Sequence, residues 1–267
     1  MVSITDEPRF TSRLIKASAL LADTKTLLAA WDLSTSVADN LQRVEQSNIF
    51  GKTSRSRVRD ILRIFRQRYF DDPDVGQALV ALSQGHAPPP WLDPLLYFYS
   101  VQNDLLLRAI VTDLLYPRCM AGFTEMRVEQ VVRAIHEWSA EGKTTEPWSE
   151  ETARRVAQGA MATLRDFGIL QGAVHKSITP IYLPTQSFAF IAFAIRRQLS
   201  SGERVLHSDE WKLFFLPVEA VERFFLEAHQ SDLLSYQAAG TVIRLEFPAA
   251  SLAEYADVLV KRTHQAA

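Results

Sequence analysis

Residues 54–69 read SRSRVRDILRIFRQRY, a stretch with the pattern of an amphipathic helix that has a basic surface. Ser54 is a favourable residue at a helix N-cap. At about 100° per residue, five apolar side chains share one face, namely Val58, Ile61, Leu62, Phe65 and Tyr69. The pattern therefore predicts a helix that buries this face in a helical domain.

The charge of this region departs from that of the whole chain. From Lys52 to Arg68 there are seven basic residues and one acid, whereas the chain has 29 Lys and Arg against 31 Asp and Glu. One edge of the apolar face carries what we name the arginine strip, Arg55, Arg59, Arg63 and Arg66; the other edge carries Arg57 and Arg68. Like charges four residues apart repel each other, so we infer that the arginine strip does not serve helix stability.

Several partners would neutralise the arginine strip. Guanidinium groups form bidentate contacts with phosphate oxygens, and the start of the helix adds the hydroxyls of Thr53, Ser54 and Ser56. This composition favours a nucleic-acid surface. Two alternatives stay open on the sequence alone: ion pairs with acidic helices of the same fold, and docking of an acidic protein.

Start and stop signals predict further helices in the first half of the chain. Serine or Asp-Pro pairs begin them and Pro117 ends the last, which gives predicted helices from Ser12 to Trp31, Ser36 to Asn48, Asp72 to Leu82 and Asp93 to Tyr116. The pattern changes near residue 120. We therefore predict a helical bundle over residues 1–120, which carries the basic helix, and a second domain over residues 121–267.

The second domain begins with the element order of a helix-turn-helix that is followed by a wing. Helices are predicted from Thr124 to Trp138 and from Ser149 to Phe167, then short β-branched segments over residues 178–183. A later strand is predicted from Thr241 to Phe247, and a last helix begins at Ser251. The expected fold class is mainly α with a few short strands.

The second of these helices has an outer face of basic and small side chains that suits entry into a major groove. Its members are Arg154, Arg155, Gln158, Ala162 and Arg165, and Lys176 lies on the predicted wing. Glu150 and Glu151 at the helix start would repel phosphates. The alternative interpretation is therefore an ordinary amphipathic helix with a solvated outer face.

The motifs of common enzymes are absent from the sequence. The six histidines lack metal-ligand spacing, and there is no GxSxG nucleophile elbow. The best catalytic candidate is a carboxylate set of the kind used by metal-dependent nucleases, Asp74 with Glu141 and Lys143. Nucleases normally present such groups at strand ends, whereas these lie at a helix start and a turn. We expect no catalysis, metal or cofactor, and keep a nuclease as a distant alternative.

The sequence also predicts the compartment. Cys119 is the single cysteine, so no intrachain disulfide forms, and Met1–Pro8 lacks the features of a signal peptide. The apolar stretch Leu95–Leu115 is interrupted by polar residues such as Asp104 and Arg108, which indicates a buried helix rather than a membrane span. We expect a cytoplasmic protein without membrane contact.

Several segments resemble the BrxA family of bacterial BREX phage-defence systems. In the first half these are Ala29-Ala30-Trp31-Asp32 and the run from Asn48 to Val58, NIFGKTSRSRV. In the second half, Phe167-Gly168-Ile169-Leu170 followed by Tyr182-Leu183-Pro184 is similar to the same family. The similarity covers most of the chain and rests on no catalytic motif.

The resemblance implies a non-enzymatic protein that binds double-stranded DNA. It implies a first domain similar in fold to the helical antitermination factor NusB and a second similar to winged-helix modules. It also implies neighbours in the defence system: a DNA methyltransferase, a phosphatase-like protein and ATPases. The family assigns no individual DNA contacts, so our candidates follow from charge alone: Lys52, Arg55, Arg57, Arg59, Arg63, Arg66, Arg68, Arg154, Arg155, Arg165 and Lys176.

Overall fold

The computed structural model describes residues 9–15, 18–144, 146–173, 175–240 and 242–266. The chain is mainly helical with a few short antiparallel strands, as the sequence predicts. The N-terminal segment examined for a signal peptide, residues 1–8, and the predicted first residue of the late strand, Thr241, lie outside the described residues.

The α-helices are, in chain order, α1 Leu21–Ala29, α2 Val37–Ser47, α3 Arg55–Tyr69, α4 Pro73–Gln84, α5 Pro89–Gln102, α6 Leu105–Ala109, α7 Tyr116–Met120, α8 Val128–Ala140, α9 Glu150–Asp166, α10 Thr185–Gln198, α11 Gly202–Leu206, α12 Val218–Gln230 and α13 Leu252–Ala266. The strands are β1 Glu125–Met126, β2 Leu170–Gln171, β3 Lys176–Ile178, β4 Ser235–Ala239 and β5 Val242–Glu246. Ser12–Ile15 and Asp209–Phe214 form 3-10 helices, and Ile110–Leu115 is a π-helix. No helix of the described residues is both long and apolar enough to span a bilayer.

The chain forms two compact units, each made of two separate segments. Unit 1 comprises Met1–Ala19 and Val101–Pro180, and unit 2 comprises Leu20–Ser100 and Ile181–Ala267. This grouping differs from a sequential division at residue 120. The physical reason is that the C-terminal helices pack on helices of the N-terminal half, most extensively α13 on α4.

The predicted burial of one face of α3 is confirmed in unit 2. Val58, Ile61, Leu62, Phe65 and Tyr69 are all buried. The ring of Phe65 lies 5.5 Å from that of Trp31 and 5.1 Å from that of Phe70, centroid to centroid. The Tyr69 hydroxyl shares a 2.8 Å hydrogen bond with Ser100 of α5. Burial of each large apolar side chain stabilises the fold by about 1.5–3 kcal/mol, so the orientation of α3 about its axis is strongly fixed.

Asp74 joins α4 to α13 in unit 2. Its carboxylate accepts hydrogen bonds from the backbone N–H groups of Leu252, at 2.9 Å, and Ala253, at 3.0 Å. It also forms a 3.2 Å ion pair with Arg197 of α10. Asp74 therefore caps the N-terminus of a helix that lies far away in sequence, and its negative charge faces the positive end of that helix.

We predict that Asp74→Ala lowers the free energy of unfolding by about 1–3 kcal/mol, because two backbone donors lose their acceptor and Arg197 keeps only its ion pair with Asp72. Urea denaturation of the purified protein measures this. Asp71→Ala is the matched control, since Asp71 is exposed in the loop just before α4 and its loss is expected to cost under about 0.5 kcal/mol. Equal losses in the two variants would contradict the capping role.

Unit 1 brings α8, α9 and three short strands together. The strands form a sheet in the order β1-β3-β2, with antiparallel pairs such as Glu125↔Ser177 and Leu170↔Ile178. The turn between β2 and β3 uses Gly172 at φ +97°, where a Cβ atom would collide with the His175 carbonyl. Gly159 of α9 likewise lies against the Leu14 carbonyl, so the 3-10 helix packs directly on the α9 backbone.

Several element boundaries differ from the sequence predictions. The first predicted helix is divided into the 3-10 helix and α1. The long helix predicted from Asp93 begins earlier, at Pro89, and ends at Gln102, because the Asp104 side chain accepts from the Leu107 N–H and starts α6. Pro117 lies in the first turn of α7, where a proline needs no hydrogen-bond partner, rather than ending a helix.

The strands differ as well. No strand forms over residues 179–183; β3 ends at Ile178, and Pro180, which has no N–H to donate, follows two residues later. The helix predicted from Thr124 begins at Val128, because Glu125 and Met126 pair with β3. The late strand, β5, pairs with β4, which the sequence analysis missed. The last helix begins as predicted, with the Ser251 hydroxyl accepting from the Glu254 N–H at 3.1 Å.

Candidate nucleic-acid interface

The arginine strip lies on the solvent-exposed side of α3 in unit 2. Because the apolar face is buried against α5 and the aromatic cluster, the edge that carries the strip turns outward. All four members, Arg55, Arg59, Arg63 and Arg66, are exposed. Ser54 caps the helix, since its hydroxyl accepts from the Arg57 N–H at 3.4 Å. The arginine strip is therefore accessible to solvent along its whole length.

Two members of the strip have acidic neighbours. Arg59 forms a 2.6 Å ion pair with Glu45 of α2, and Arg63 forms a 2.7 Å ion pair with Asp60 one turn earlier. Ion pairs within the fold, which the sequence leaves open as an alternative, therefore form at these two positions. Packing of α2 beside α3 brings Glu45 to Arg59, whereas Asp60 belongs to α3 itself. Exposed ion pairs contribute only about 0.2–1 kcal/mol, so a phosphate can replace the carboxylate at small cost.

The other two members of the strip carry uncompensated charge. Neither Arg55 nor Arg66 has an ion-pair partner within the described part of the chain. Lys52, just before the helix, is half-buried and forms a 2.9 Å ion pair with Asp23 of α1. Arg57 is partly exposed and interacts with other residues of the fold. Arg55 and Arg66 are therefore the strongest candidates for an external anion.

Arg68 was predicted to contact DNA, and its position in the structure does not favour this. Only 8% of this residue is exposed, and it lies against Tyr69, to which it donates a hydrogen bond. Burial raises the pKa of Tyr69, while the charge of Arg68 acts in the opposite direction. Its position, seven residues after Ile61 and three after Phe65, places it on the buried side of the helix. Arg68 thus acts within the fold, and its position does not favour a phosphate contact.

A depression of about 590 Å³ opens beside the strip, and we name it the α2–α3 depression. It lies between the end of α2, the loop that follows and the first turn of α3. Most of its lining is polar: Gln42, Glu45, Gln46, Asn48, Lys52, Thr53, Arg55 and Val58. Arg55 belongs to both the depression and the arginine strip. The sequence analysis missed this site, because the spacing of α2 and α3 residues depends on how the helices pack.

The outer face of α9 in unit 1 is also basic. Arg154, Arg155 and Arg165 are exposed as predicted. Arg154 lies 3.4 Å from a Glu129 carboxylate oxygen, and Arg165 lies 3.0 Å from one of Asp166. Arg155 has no ion-pair partner among the residues that the structure describes. This face therefore presents one uncompensated guanidinium, fewer than the arginine strip.

Lys176 is the second predicted DNA contact that the structure does not favour. Only 9% of it is exposed, and its Nζ donates to the carbonyls of Gly172, at 3.3 Å, and Ala173, at 3.1 Å. Burial lowers the pKa of Lys176, and the nearby Arg165 adds to this effect. The alternation of β3 turns this side chain inward, so Lys176 holds the turn between β2 and β3 and is not placed for a phosphate contact.

The residues of the nuclease-like set have other partners. Asp74 caps α13, and Glu141 forms a 2.9 Å ion pair with Lys143. Across the described ranges, no group of three or more His, Cys, Asp or Glu side chains is arranged to hold a metal ion.

We predict that Arg68→Gln and Arg66→Gln separate a structural arginine from a surface one. Arg68→Gln removes a buried charge-assisted hydrogen bond and is expected to lower the free energy of unfolding by about 1.5–3 kcal/mol. Arg66→Gln is expected to change it by less than about 0.5 kcal/mol, as for most surface substitutions. Thermal and urea unfolding measure both. A larger loss for Arg66 than for Arg68 would refute this assignment.

The region that carries this surface matches a known protein family. The profile of the BrxA family matches residues 8–194, more than two thirds of the chain. No curated protein matches the chain. The matched region contains α3, the α2–α3 depression and α9, and it ends within α10, ahead of the β4–β5 hairpin and α13.

Proposed function

Because the chain belongs to the BrxA family, and is thus a component of BREX phage defence, we propose that it binds double-stranded DNA without catalysing a reaction on it. The principal contact is the arginine strip on α3, and the outer face of α9 is a second contact. Association with the methyltransferase, the phosphatase-like protein or the ATPases of the system stays a prediction from the family resemblance.

The observation that carries the proposal is the exposed, partly uncompensated arginine strip of an otherwise near-neutral chain. The formal net charge is −2, so a bulk positive charge does not attract DNA to this protein. From Arg55 to Arg66 the helix advances about 16 Å. Over this length, one strand of duplex DNA presents about five phosphates. Four guanidinium groups in a row therefore extend along a comparable length of one phosphate backbone and can contact several of its phosphates.

The arrangement of unit 1 supports a second contact. The element order β1-α8-α9-β2-β3, with a β1-β3-β2 sheet, agrees with a helix-turn-helix followed by a wing. The connection between α8 and α9, residues 141–149, is longer than the three to four residues of a simple helix-turn-helix. Glu150 at the start of α9 is paired with His136 at 2.9 Å, which reduces its repulsion of phosphates when the histidine is protonated.

We predict that changing all four strip arginines to Gln strongly weakens binding to unrelated duplex sequences without unfolding the protein. Each lost phosphate contact lowers the slope of log affinity against log salt by about 0.9, so the whole strip accounts for at most about 3.6. Fluorescence anisotropy with a labelled duplex at several salt concentrations measures this. Arg223→Gln on α12 serves as a control, and unchanged affinity and slope in the four-fold variant would overturn the proposal.

The same variant separates the alternatives. Unchanged DNA binding with loss of a protein partner would indicate a scaffold that docks an acidic protein. A large fall in melting temperature would indicate that the strip serves ion pairs within the fold. Nicking of plasmid DNA in the presence of magnesium or manganese, abolished by a chelator of divalent cations, would indicate a metal-dependent nuclease.

A gain-of-binding variant follows from the ion pair between Glu45 and Arg59. Glu45→Gln releases Arg59 from its competing carboxylate, so we predict tighter duplex binding and a salt slope that is steeper by up to about 0.9. Glu219→Gln on α12 removes the same charge from an exposed site away from α3 and is the matched control. Equal effects of the two substitutions would show that net charge, rather than the released Arg59, is responsible.

A further inference from the structure

We infer that the α2–α3 depression binds one unpaired nucleotide of a DNA strand whose neighbouring duplex lies on the arginine strip. This inference rests on the proposed function, since the strip supplies the duplex contact. The volume of about 590 Å³ lies within the range typical of sites for small organic ligands, about 300–1,000 Å³. The depression and the strip share Arg55, so one strand can follow both.

The charge of the lining selects a ligand with a single anionic group. The ammonium of Lys52 is paired with Asp23, and the carboxylate of Glu45 is paired with Arg59. Within the described part of the chain, this leaves Arg55 as the lining residue whose charge has no ionic partner. One phosphodiester satisfies one guanidinium, whereas a polyphosphate would bring charge that the lining does not match.

The amides of the lining suit the edge of a base. Gln42 and Gln46 lie one turn apart on α2, and both are exposed without a hydrogen-bond partner among the described residues. Each amide offers donors and an acceptor, as the edge of adenine does, and glutamine pairs with adenine through two hydrogen bonds. The N6/N7 edge of adenine that glutamine recognises is also accessible in duplex DNA. A base enters the depression, however, only when it leaves the duplex stack, so use of this site requires an unpaired base.

The wall opposite these amides is held in place before a ligand binds. Asn48 adopts φ 45°, its amide donates to the Lys52 carbonyl at 2.8 Å, and its oxygen accepts from the Lys52 N–H at 3.2 Å. Gly51 closes the turn with a 2.9 Å hydrogen bond to the Asn48 carbonyl. Asn48 is therefore structural, while Gln42, Gln46, Thr53 and Arg55 are the ligand-binding residues. The turn from Asn48 to Lys52 is therefore ordered before the nucleotide enters, and the entropic cost of binding falls on the exposed side chains of the ligand-binding residues.

The test compares two labelled duplexes of identical sequence, one fully paired and one with a single extrahelical adenosine, with the full-length protein at fixed salt. We expect about tenfold tighter binding of the duplex with the extrahelical base. Combining Gln42→Ala with Gln46→Ala is expected to remove this preference and to leave the affinity for the paired duplex unchanged. Gln230→Ala, at an exposed site on α12, is the control and is expected to keep the preference.

The outcomes separate this inference from the proposed function. Equal affinity for the two duplexes, or a preference that survives the double variant, overturns the nucleotide site and leaves the strip contact standing. Failure to bind either duplex overturns the proposed function itself. Free deoxyadenosine monophosphate, titrated alone, is expected to bind at least tenfold more weakly than the duplex with the extrahelical base; equal affinity would overturn the requirement for a DNA strand.

Discussion

The burial of the apolar face of α3 is the constraint on which the surface of unit 2 depends. Phe65 packs against both Trp31 and Phe70, and the Tyr69 hydroxyl shares a hydrogen bond with Ser100. Rotation of α3 about its axis would expose these rings and break this hydrogen bond, at a cost of several times about 1.5–3 kcal/mol. The core therefore determines which arginines face solvent.

The same constraint divides five of the six arginines of α3 into three groups. Arg55 and Arg66 face solvent without an ionic partner, Arg59 and Arg63 face solvent beside carboxylates, and Arg68 lies buried next to Tyr69. Arginines that look alike in the sequence thus differ in exposure and in ionic partners in the folded protein. We propose that these differences set how much each position contributes to anion binding, with Glu45 competing with the anion for Arg59.

The sequence predicts much of this arrangement because helical periodicity and N-caps are local properties. The buried face of α3, the cap at Ser54 and the outward direction of Arg154, Arg155 and Arg165 all follow from it. Contacts between distant segments cannot be predicted from this periodicity, because they depend on how the helices pack. Examples are the pairing of Glu45 with Arg59, the capping of α13 by Asp74 and the α2–α3 depression. The burial of Lys176 was not predicted, because the direction of its side chain depends on the pairing register of β3.

Arginine-specific modification with phenylglyoxal, followed by mass spectrometry, tests the central claim most directly, because it reads each guanidinium of the intact protein separately. With saturating duplex DNA, the account predicts that Arg55 and Arg66 lose most of their reactivity, that Arg223 on α12 keeps its reactivity, and that buried Arg68 reacts poorly with or without DNA. Reactivity of Arg55 and Arg66 that stays the same in saturating DNA as in its absence would contradict the account.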